Sequence, residues 1–475
     1  MAVINTYMEN IIALCKRKGF IFPGSEIYGG LSGTWDYGPL GVALKNNIKN
    51  LWWKRFVTDR EDMFGVDAAI LMNQNVWKAS GHVAGFSDPL VVDAKTQKRY
   101  RADHLLEESG VDVKGMTLDA MDAKIKVLGL KSPEGNPLGD VRQFNMMFKT
   151  HIGPVADDDS ISYLRPETAQ GMFVNFKNVL DSMHPKIPFG LAQIGKAFRN
   201  EIAPRDFIFR DRELEQMEIE YFVHPDNWKE TFDGFFNEQM EFAKDLGLDM
   251  SHVHKVDIAA EDRAHYSSCS VDTEFDFPFG QKELFGLAYR TDYDLKKHIE
   301  NSKVDLSYFD EETKTRYVPH CIEPTFGVER TMLAVLSDAY TVDELGGEKR
   351  EYLKLSPKIA PVLVSVSPLL KNKPELVSIA RSVYADLKKK FGRVTFDDNG
   401  NIGKRYRRQD EIGTPFCVVI DFETMEGVKE AVHAKDSSAA IAVGATDTVT
   451  IRYRDSGEQE RVAIADLAEK IESLC

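Results

Sequence analysis

Nowhere in the 475 residues do about 18 apolar residues run without interruption, which excludes a membrane-spanning helix. Residues 1–20 carry Glu9 and the run Cys15-Lys16-Arg17-Lys18 where a secretory or transit peptide would need an apolar or acid-free stretch, so neither is expected. Cysteine is scarce: five residues, odd in number and scattered, with no C-x-x-C pair. Free thiols in a reduced compartment follow, and with them a soluble, cytoplasmic protein with no membrane partner. No internal repeat or low-complexity tract occurs. A Ser-His-Asp or Cys-His nucleophile pattern is also missing. Cations are outnumbered, 60 Lys and Arg against 75 Asp and Glu, giving a net charge of −15. Taken alone, that balance argues against a polyanionic partner.

What is present describes a folded chain. Hydrophobic residues make up 43% and aromatics 10%, and the length suits two or three domains of about 150 residues. A glycine-rich loop over 27–41 precedes Leu44, Ile48, Leu51, Trp52 and Phe56, whose spacing predicts an amphipathic helix over about 41–57. Residues 102–141 predict a helical insertion ending in turns. Residues 189–198 and 215–222 predict two antiparallel strands joined by a long polar loop. In the second strand Met217, Ile219 and Tyr221 alternate with Gln216, Glu218 and Glu220, which gives one polar face. Helices and connections are expected over 224–265 and extended chain over 271–293. The character changes near 356. Beyond it, strands at 360–366, 415–420, 439–443 and 449–453 alternate with helices near 374–390, 425–433 and 463–473, the pattern of an α/β domain of about 120 residues.

Two short segments offer phosphate chemistry. Phe198-Arg199-Asn200-Glu201 places a guanidinium and a carboxylate at a strand end, with Arg205, Arg210 and Arg212 behind it. A planar guanidinium suits a phosphate, yet the segment equally fits a salt-bridged hairpin tip. Gly327-Val-Glu-Arg330 opens an apolar helix, where a glycine permits close approach and the free N–H groups favour anions. A glycine cap would read the same way. Three other features are weaker. His265 and Cys269 have ligand-like spacing without a second pair, so no structural zinc is expected. Trp52-Trp53 suits core or interface, and Lys388-Lys-Lys390 suits a helix C-terminus.

In order, Gly38-Pro-Leu-Gly41 before a helix, Phe198-Arg-Asn-Glu201 in a strand–loop–strand, and Gly327-x-x-Arg330 opening a helix resemble the three motifs of class II aminoacyl-tRNA synthetases. Tyr37–Ile48, Arg101-Ala-Asp-His-Leu105, Arg165-Pro-Glu-Thr-Ala-Gln-Gly171, Arg199–Arg205, Glu283–Asp294 and Glu323-Pro-Thr-Phe-Gly327 narrow the resemblance to the homodimeric type of glycyl-tRNA synthetases, over nearly the whole chain. The resemblance implies an α+β architecture. Residues 1–355 would form a catalytic domain, an antiparallel sheet flanked by helices with insertions at about 80–160 and 224–270, and residues 356–475 a C-terminal α/β anticodon-binding domain.

It also implies site residues. Arg199 and Arg330 would be catalytic, holding the α- and γ-phosphates of ATP. Asn200, Glu201, Phe209, Arg210, Leu284 and Gly327 would complete the ATP site, with Glu283 as the Mg²⁺ contact. Arg101, Glu167, Glu218, Glu323 and Thr325 would form the glycine site. Glycine offers an ammonium, a carboxylate and two hydrogens, so charge and lack of room must recognise it. Thr325 stands where the family pattern has serine; its hydroxyl is kept, and its methyl either points away or tightens the pocket. In the C-terminal domain Lys404, Arg405, Arg407 and Arg408 surround Tyr406, which suits backbone contact and stacking on anticodon bases. The implied partners are tRNA(Gly), glycine, ATP with Mg²⁺, and a second copy of the chain. The competing readings are a class II synthetase for another small amino acid, or a synthetase-like tRNA-binding protein without catalysis. On this view the −15 charge hides local basic faces.

Overall fold

The computed structural model describes residues 2–424 and 447–475. The strand expected at 439–443 and the helix expected at 425–433 lie outside them. Helix α1 (Ala2–Lys18) buries Ile11, Leu14 and Cys15, spaced as one helical stripe. Helix α2 (Pro39–Trp53) begins with proline, whose missing N–H costs nothing at a helix start. It rests against the preceding strand at Gly41, where a Cβ would lie 1.9 Å from the Phe20 carbonyl oxygen. Leu44, Ile48 and Trp52 turn inward as predicted. A five-residue π-helical turn, Lys54–Thr58, carries Phe56 into the same core.

The main sheet has seven strands: β1 (Met63–Gly65), β2 (Phe189–Phe198), β3 (Glu213–Val223), β4 (Val253–Asp257), β5 (Cys269–Phe277), β6 (Gly280–Thr291) and β7 (His320–Gly327). Their order across the sheet is β4-β5-β6-β7-β3-β2-β1, antiparallel throughout except for the parallel edge pair β1–β2. The predicted hairpin is β2–β3, with Phe198 opposite Glu213. Its connecting loop is less polar than expected: Ile202, Phe207, Ile208 and Phe209 are buried. The polar face of β3 is not solvated either. Gln216, Glu218 and Glu220 are as buried as Met217, Ile219 and Tyr221.

Helices α3 (Ala169–Met183), α4 (Trp228–Asp245), α5 (Tyr293–Ser302) and α6 (Val328–Ala339) pack around this sheet. Trp52, Phe56, Phe242, Phe285 and Phe326 meet at its centre, with ring centroids 4.7–5.9 Å apart. Trp52 is therefore core, and Trp53 packs on the Cα of Gly65.

Short strands add to the helices expected in both insertions. The 102–141 insertion holds two helices (Ala102–Glu108 and Leu118–Leu128), but they pack on a three-stranded sheet of Arg99–Arg101, Ser87–Val92 and Arg142–Asn145. Arg99–Arg101 is too short to show an alternation, and Ser87–Val92 and Arg142–Asn145 do not alternate apolar with polar residues. Within 224–265, β4 joins the sheet edge where only helices and connections were expected, for the same reason.

After a hairpin of Tyr340–Leu345 and Glu348–Leu353, a second sheet follows. It comprises β8 (Val364–Pro368), β9 (Val394–Phe396), β10 (Phe416–Ile420), β11 (Thr448–Tyr453) and β12 (Gln459–Ala463) in the order β9-β8-β10-β11-β12. The β8 pairings are parallel and the β10–β11–β12 pairings antiparallel. Among the described residues, helices α7 (Pro374–Phe391), α8 (Ile402–Glu411) and α9 (Leu467–Glu472) pack with this sheet. Lys388, in the last turn of α7, donates to the Gly392 and Val394 carbonyls, the cap its position suggested.

Candidate active site

The carboxylates of the site come from neighbouring strands by register. Glu218 on β3 stands opposite Thr325 on β7, and Glu323 on β7 opposite Ala288 on β6. Glu167, just before α3, joins them in lining a cavity of about 400 Å³ with Tyr266, Ser270 and Arg199. The Thr325 hydroxyl donates to Glu218 Oε1 at 3.0 Å, and the Thr168 hydroxyl donates to the other oxygen. The Thr325 hydroxyl is thus spent on positioning Glu218.

One buried cation faces this acidic set. Arg290, at the end of β6, forks onto Asp294 (2.7 and 2.9 Å), and its remaining amino group reaches Glu323 Oε1 at 2.6 Å. Tyr266 lies under the guanidinium at 3.7 Å. Gln170 donates to both Glu167 and Asp294, and His298 holds Gln170 from behind. Burial pushes Glu323 up to about 8; Arg290 opposes this, while Glu218 and Glu167 add to it. Glu218 is raised by burial and by Glu167. Burial also disfavours ionisation of Glu167, but His82 (3.3 Å) and Arg290 outweigh it and hold that carboxyl well below the usual range. Glu220 sits deeper, bonded by the Cys321 thiol at 2.9 Å, with its other oxygen unpartnered. An added ammonium in this cavity would relieve repulsion among several acids at once.

A second cavity, of about 280 Å³, adjoins the first. It is lined by Arg199, Arg210 and Arg330 with Glu201, Phe209, Glu283, Leu284 and Gly327. Arg330 starts α6 and lies 4.5 Å over the Phe209 ring, with Nη1 2.9 Å from Glu283 Oε2. That pairing, more than any other influence, depresses the Glu283 carboxyl, although burial opposes it. Arg199 Nε donates to the Pro166 carbonyl at 3.0 Å, and Phe86 packs beneath its guanidinium. Behind the cavity, buried Glu329 accepts from Lys45 of α2 at 2.6 Å and from the Glu215 backbone N–H at 2.8 Å. Three segments distant in sequence are thereby tied behind one wall. Arg199, Gln216, Glu283 and Thr325 line both cavities.

A cation-lined cavity joined to an acid-lined one through a shared wall accords with the family resemblance, and comparisons with known proteins decide it. Residues 148–339 match the family described as the tRNA synthetase class II core domain (G, H, P, S and T), and residues 363–474 match the anticodon binding domain. The glycine–tRNA ligase of Caldanaerobacter subterraneus subsp. tengcongensis is 48% identical over 99% of this chain and 98% of its own. That of Deinococcus radiodurans is 46% identical over 98% of each chain. The chain belongs to the glycine–tRNA ligases. Among solved structures, a prolyl-tRNA synthetase from Cryptosporidium parvum, in complex with halofuginone and AMPPNP, shares the fold. Its TM-score is 0.63 at 15% identity, covering 98% of this chain and 74% of that one.

Against the glycine–tRNA ligase expectations, the structure brings Glu167, Glu218, Glu323 and Thr325 into one cavity and Arg199, Glu201, Phe209, Arg210, Glu283, Leu284, Gly327 and Arg330 into the other. Asn200 is in the lining of neither cavity, and its backbone N–H is held by the Met146 carbonyl at 2.7 Å. Arg101 is a correction. It lines the arginine-rich cavity, not the acidic one, and its guanidinium is engaged by Asp88 and Asp103 at 2.6 Å each. Arg405 is another. The segment 404–408 lies on α8, where Arg405 is only 2% exposed and donates to the carbonyls of Pro368, Asp398 and Gly400. It braces the domain, and burial keeps its guanidinium out of reach of RNA. Arg407 bonds the Lys349 carbonyl and Glu348, Arg408 bonds Asp397, and Lys404 is exposed. Sequence reasoning missed Arg290, Asp294, Gln170, Tyr266 and His82. Gln170, Arg290 and Asp294 lie in segments that carry the family resemblance, and the i, i+4 spacing of Arg290 and Asp294 at a strand-to-helix junction was a further signal.

Proposed function

We propose that the protein activates glycine with ATP and transfers the glycyl group to the 3′ end of tRNA(Gly). The observation that carries this reading is the wall shared by the two cavities. A nucleotide held among Arg199, Arg210 and Arg330 would present its α-phosphate where Arg199 and Gln216 meet the acidic cavity. There a glycine carboxylate oxygen attacks the α-phosphorus in line and pyrophosphate departs, giving glycyl-adenylate. A terminal ribose hydroxyl of the tRNA then attacks the glycyl carbonyl and AMP leaves.

Both steps need placement and charge neutralisation rather than a protein nucleophile. Arg199 would stabilise charge at the α-phosphate and Arg330 charge on the departing pyrophosphate. Glu167, Glu218 and Glu323 would take the glycine ammonium, and the Glu218–Thr325 bond would deny a side chain room. Mg²⁺ fits a site with one ionised carboxylate, Glu283, and substrate phosphates to supply the remaining oxygens; among the described residues no cluster of three or more ligating side chains forms a cage. Bound there, the ion would neutralise phosphate charge.

The exposed part of α8, Lys404 first, supports anticodon contact. A homodimer is supported by the turn carrying Ile27 and Tyr28, apolar side chains 89% and 88% exposed. Among the described residues no helix is long and apolar enough to cross a membrane, and a cytoplasmic site of action suits the substrates. Glycine-dependent ATP–pyrophosphate exchange, with alanine and serine as competitors, tests the assignment. Exchange faster with serine or alanine than with glycine would refute it.

A further inference from the structure

Helix α6 carries Arg330 of the arginine-rich cavity in its first turn and runs straight into the hairpin Tyr340–Leu345/Glu348–Leu353. The hairpin does not pack back on the catalytic core alone; it is seated in the C-terminal domain. Midway along it Arg350, 1% exposed, forks onto Asp343 of the opposite strand at 2.9 and 2.6 Å. The same guanidinium reaches out of the hairpin to Asp410 Oδ2 on α8 (3.1 Å) and to the Arg454 carbonyl (2.6 Å). Asp410 is in turn gripped by both amino groups of Arg452, at 2.8 and 2.9 Å. Arg454 closes the seat by donating to the carbonyls of Leu355 and Gly413.

Backbone fit reinforces these charges. Gly413 has φ +82°, and a Cβ there would lie 2.6 Å from Leu355 Cδ1. Two further contacts join the catalytic part to α8. Arg407 bonds the Lys349 carbonyl and Glu348, and Lys18 of α1 pairs with Glu411. Helix α8 also carries Lys404 on its exposed side, six residues before Asp410. A single ten-residue helix thus presents one face to solvent and the other to the hairpin that continues the Arg330 helix.

Resting on the reading that α8 meets the anticodon, we propose that Arg350 is a positioning residue for the second step. It fixes the angle between the anticodon-binding domain and the catalytic domain, so that a tRNA held at α8 delivers its 3′ end to the adenylate. Arg350 lines neither cavity of the active site, so adenylate formation does not depend on it. Lysine in its place keeps a cation but cannot satisfy Asp343, Asp410 and a carbonyl together, because a fork becomes a point charge.

The test separates the steps. Arg350→Lys is assayed for glycine-dependent ATP–pyrophosphate exchange, for aminoacylation of full-length tRNA(Gly), and for aminoacylation of an acceptor-stem minihelix that lacks the anticodon arm. The expected result is exchange within twofold of wild type, minihelix charging within twofold, and a fall of at least tenfold in kcat/KM for full-length tRNA. Asp343→Asn, which removes the hairpin's half of the fork at a partly exposed site, gives the same split at smaller size and stands in if the lysine variant does not fold. Equal losses for tRNA and minihelix, a parallel loss of exchange, or no loss of tRNA charging would each overturn the proposal. Failure of glycine-dependent exchange in the wild-type protein would instead strike at the assignment of the reaction.

Discussion

Glycine affinity should depend on pH through Glu323, and the direction follows from the pocket. In the free protein burial, with Glu218 and Glu167 adding to it, holds this carboxyl at about 8 against Arg290, which divides its donors between Glu323 and Asp294. A bound ammonium favours the ionised form, so the bound-state pKa is lower and binding releases a proton. Protons therefore compete with glycine below pH 8. At pH 7 about a tenth of the free protein has Glu323 ionised, and at pH 6 about a hundredth. The KM for glycine should fall about tenfold per pH unit between 6 and 7.5, worth about 1.4 kcal/mol each, and level off near 8. The assay is ATP–pyrophosphate exchange at saturating ATP over this range, on wild type and Glu323→Gln. The glutamine variant keeps the shape but cannot titrate, so its slope should drop by about one while its KM rises overall. An unchanged slope in Glu323→Gln, or a KM that rises with pH in the wild type, would refute the electrostatic account.

Arg330→Ala should lower adenylate formation by about 10²–10³-fold, read as pyrophosphate exchange, because it removes a preorganised cation and frees Glu283 to repel phosphate. Thr325→Ser should keep the bond to Glu218 and leave glycine exchange within a few-fold, while raising alanine misactivation about tenfold if the methyl narrows the pocket. Lys404→Ala should weaken tRNA binding several-fold and reduce the slope of log affinity against log salt by about one. Arg405→Ala should instead lower the stability of the C-terminal domain by about 3 kcal/mol in denaturant titrations, since three carbonyls lose their buried donor.

The parts of this protein legible from sequence are those where chemistry is concentrated in a contiguous run. Phe198–Glu201 and Gly327–Arg330 each bring a strand end or helix start together with its charge, and β3 shows its alternation. The meaning of that alternation was not legible. Period two says that Glu218 and Glu220 share a face; only the packing of α3 and the neighbouring strands reveals that the face is buried. Arg290 escaped notice because its role depends on Glu323 and Asp294, and its bond to Glu323 spans 33 residues of sequence. Arg405 misled for the opposite reason. Four cations around an aromatic look like an RNA face, yet on a ten-residue helix with one side buried, one of the four had to turn inward.

The helix that carries Arg330 near its start and ends at the hairpin is twelve residues long, about 18 Å of chain at the usual rise. Inserting or deleting one residue within it would swing everything beyond by about 100°. The Arg350 fork would then face away from Asp410. Surface loops elsewhere can lengthen or shorten across descendants of this chain, but this rod should keep its residue count fixed, as a gauge between two ends of one tRNA.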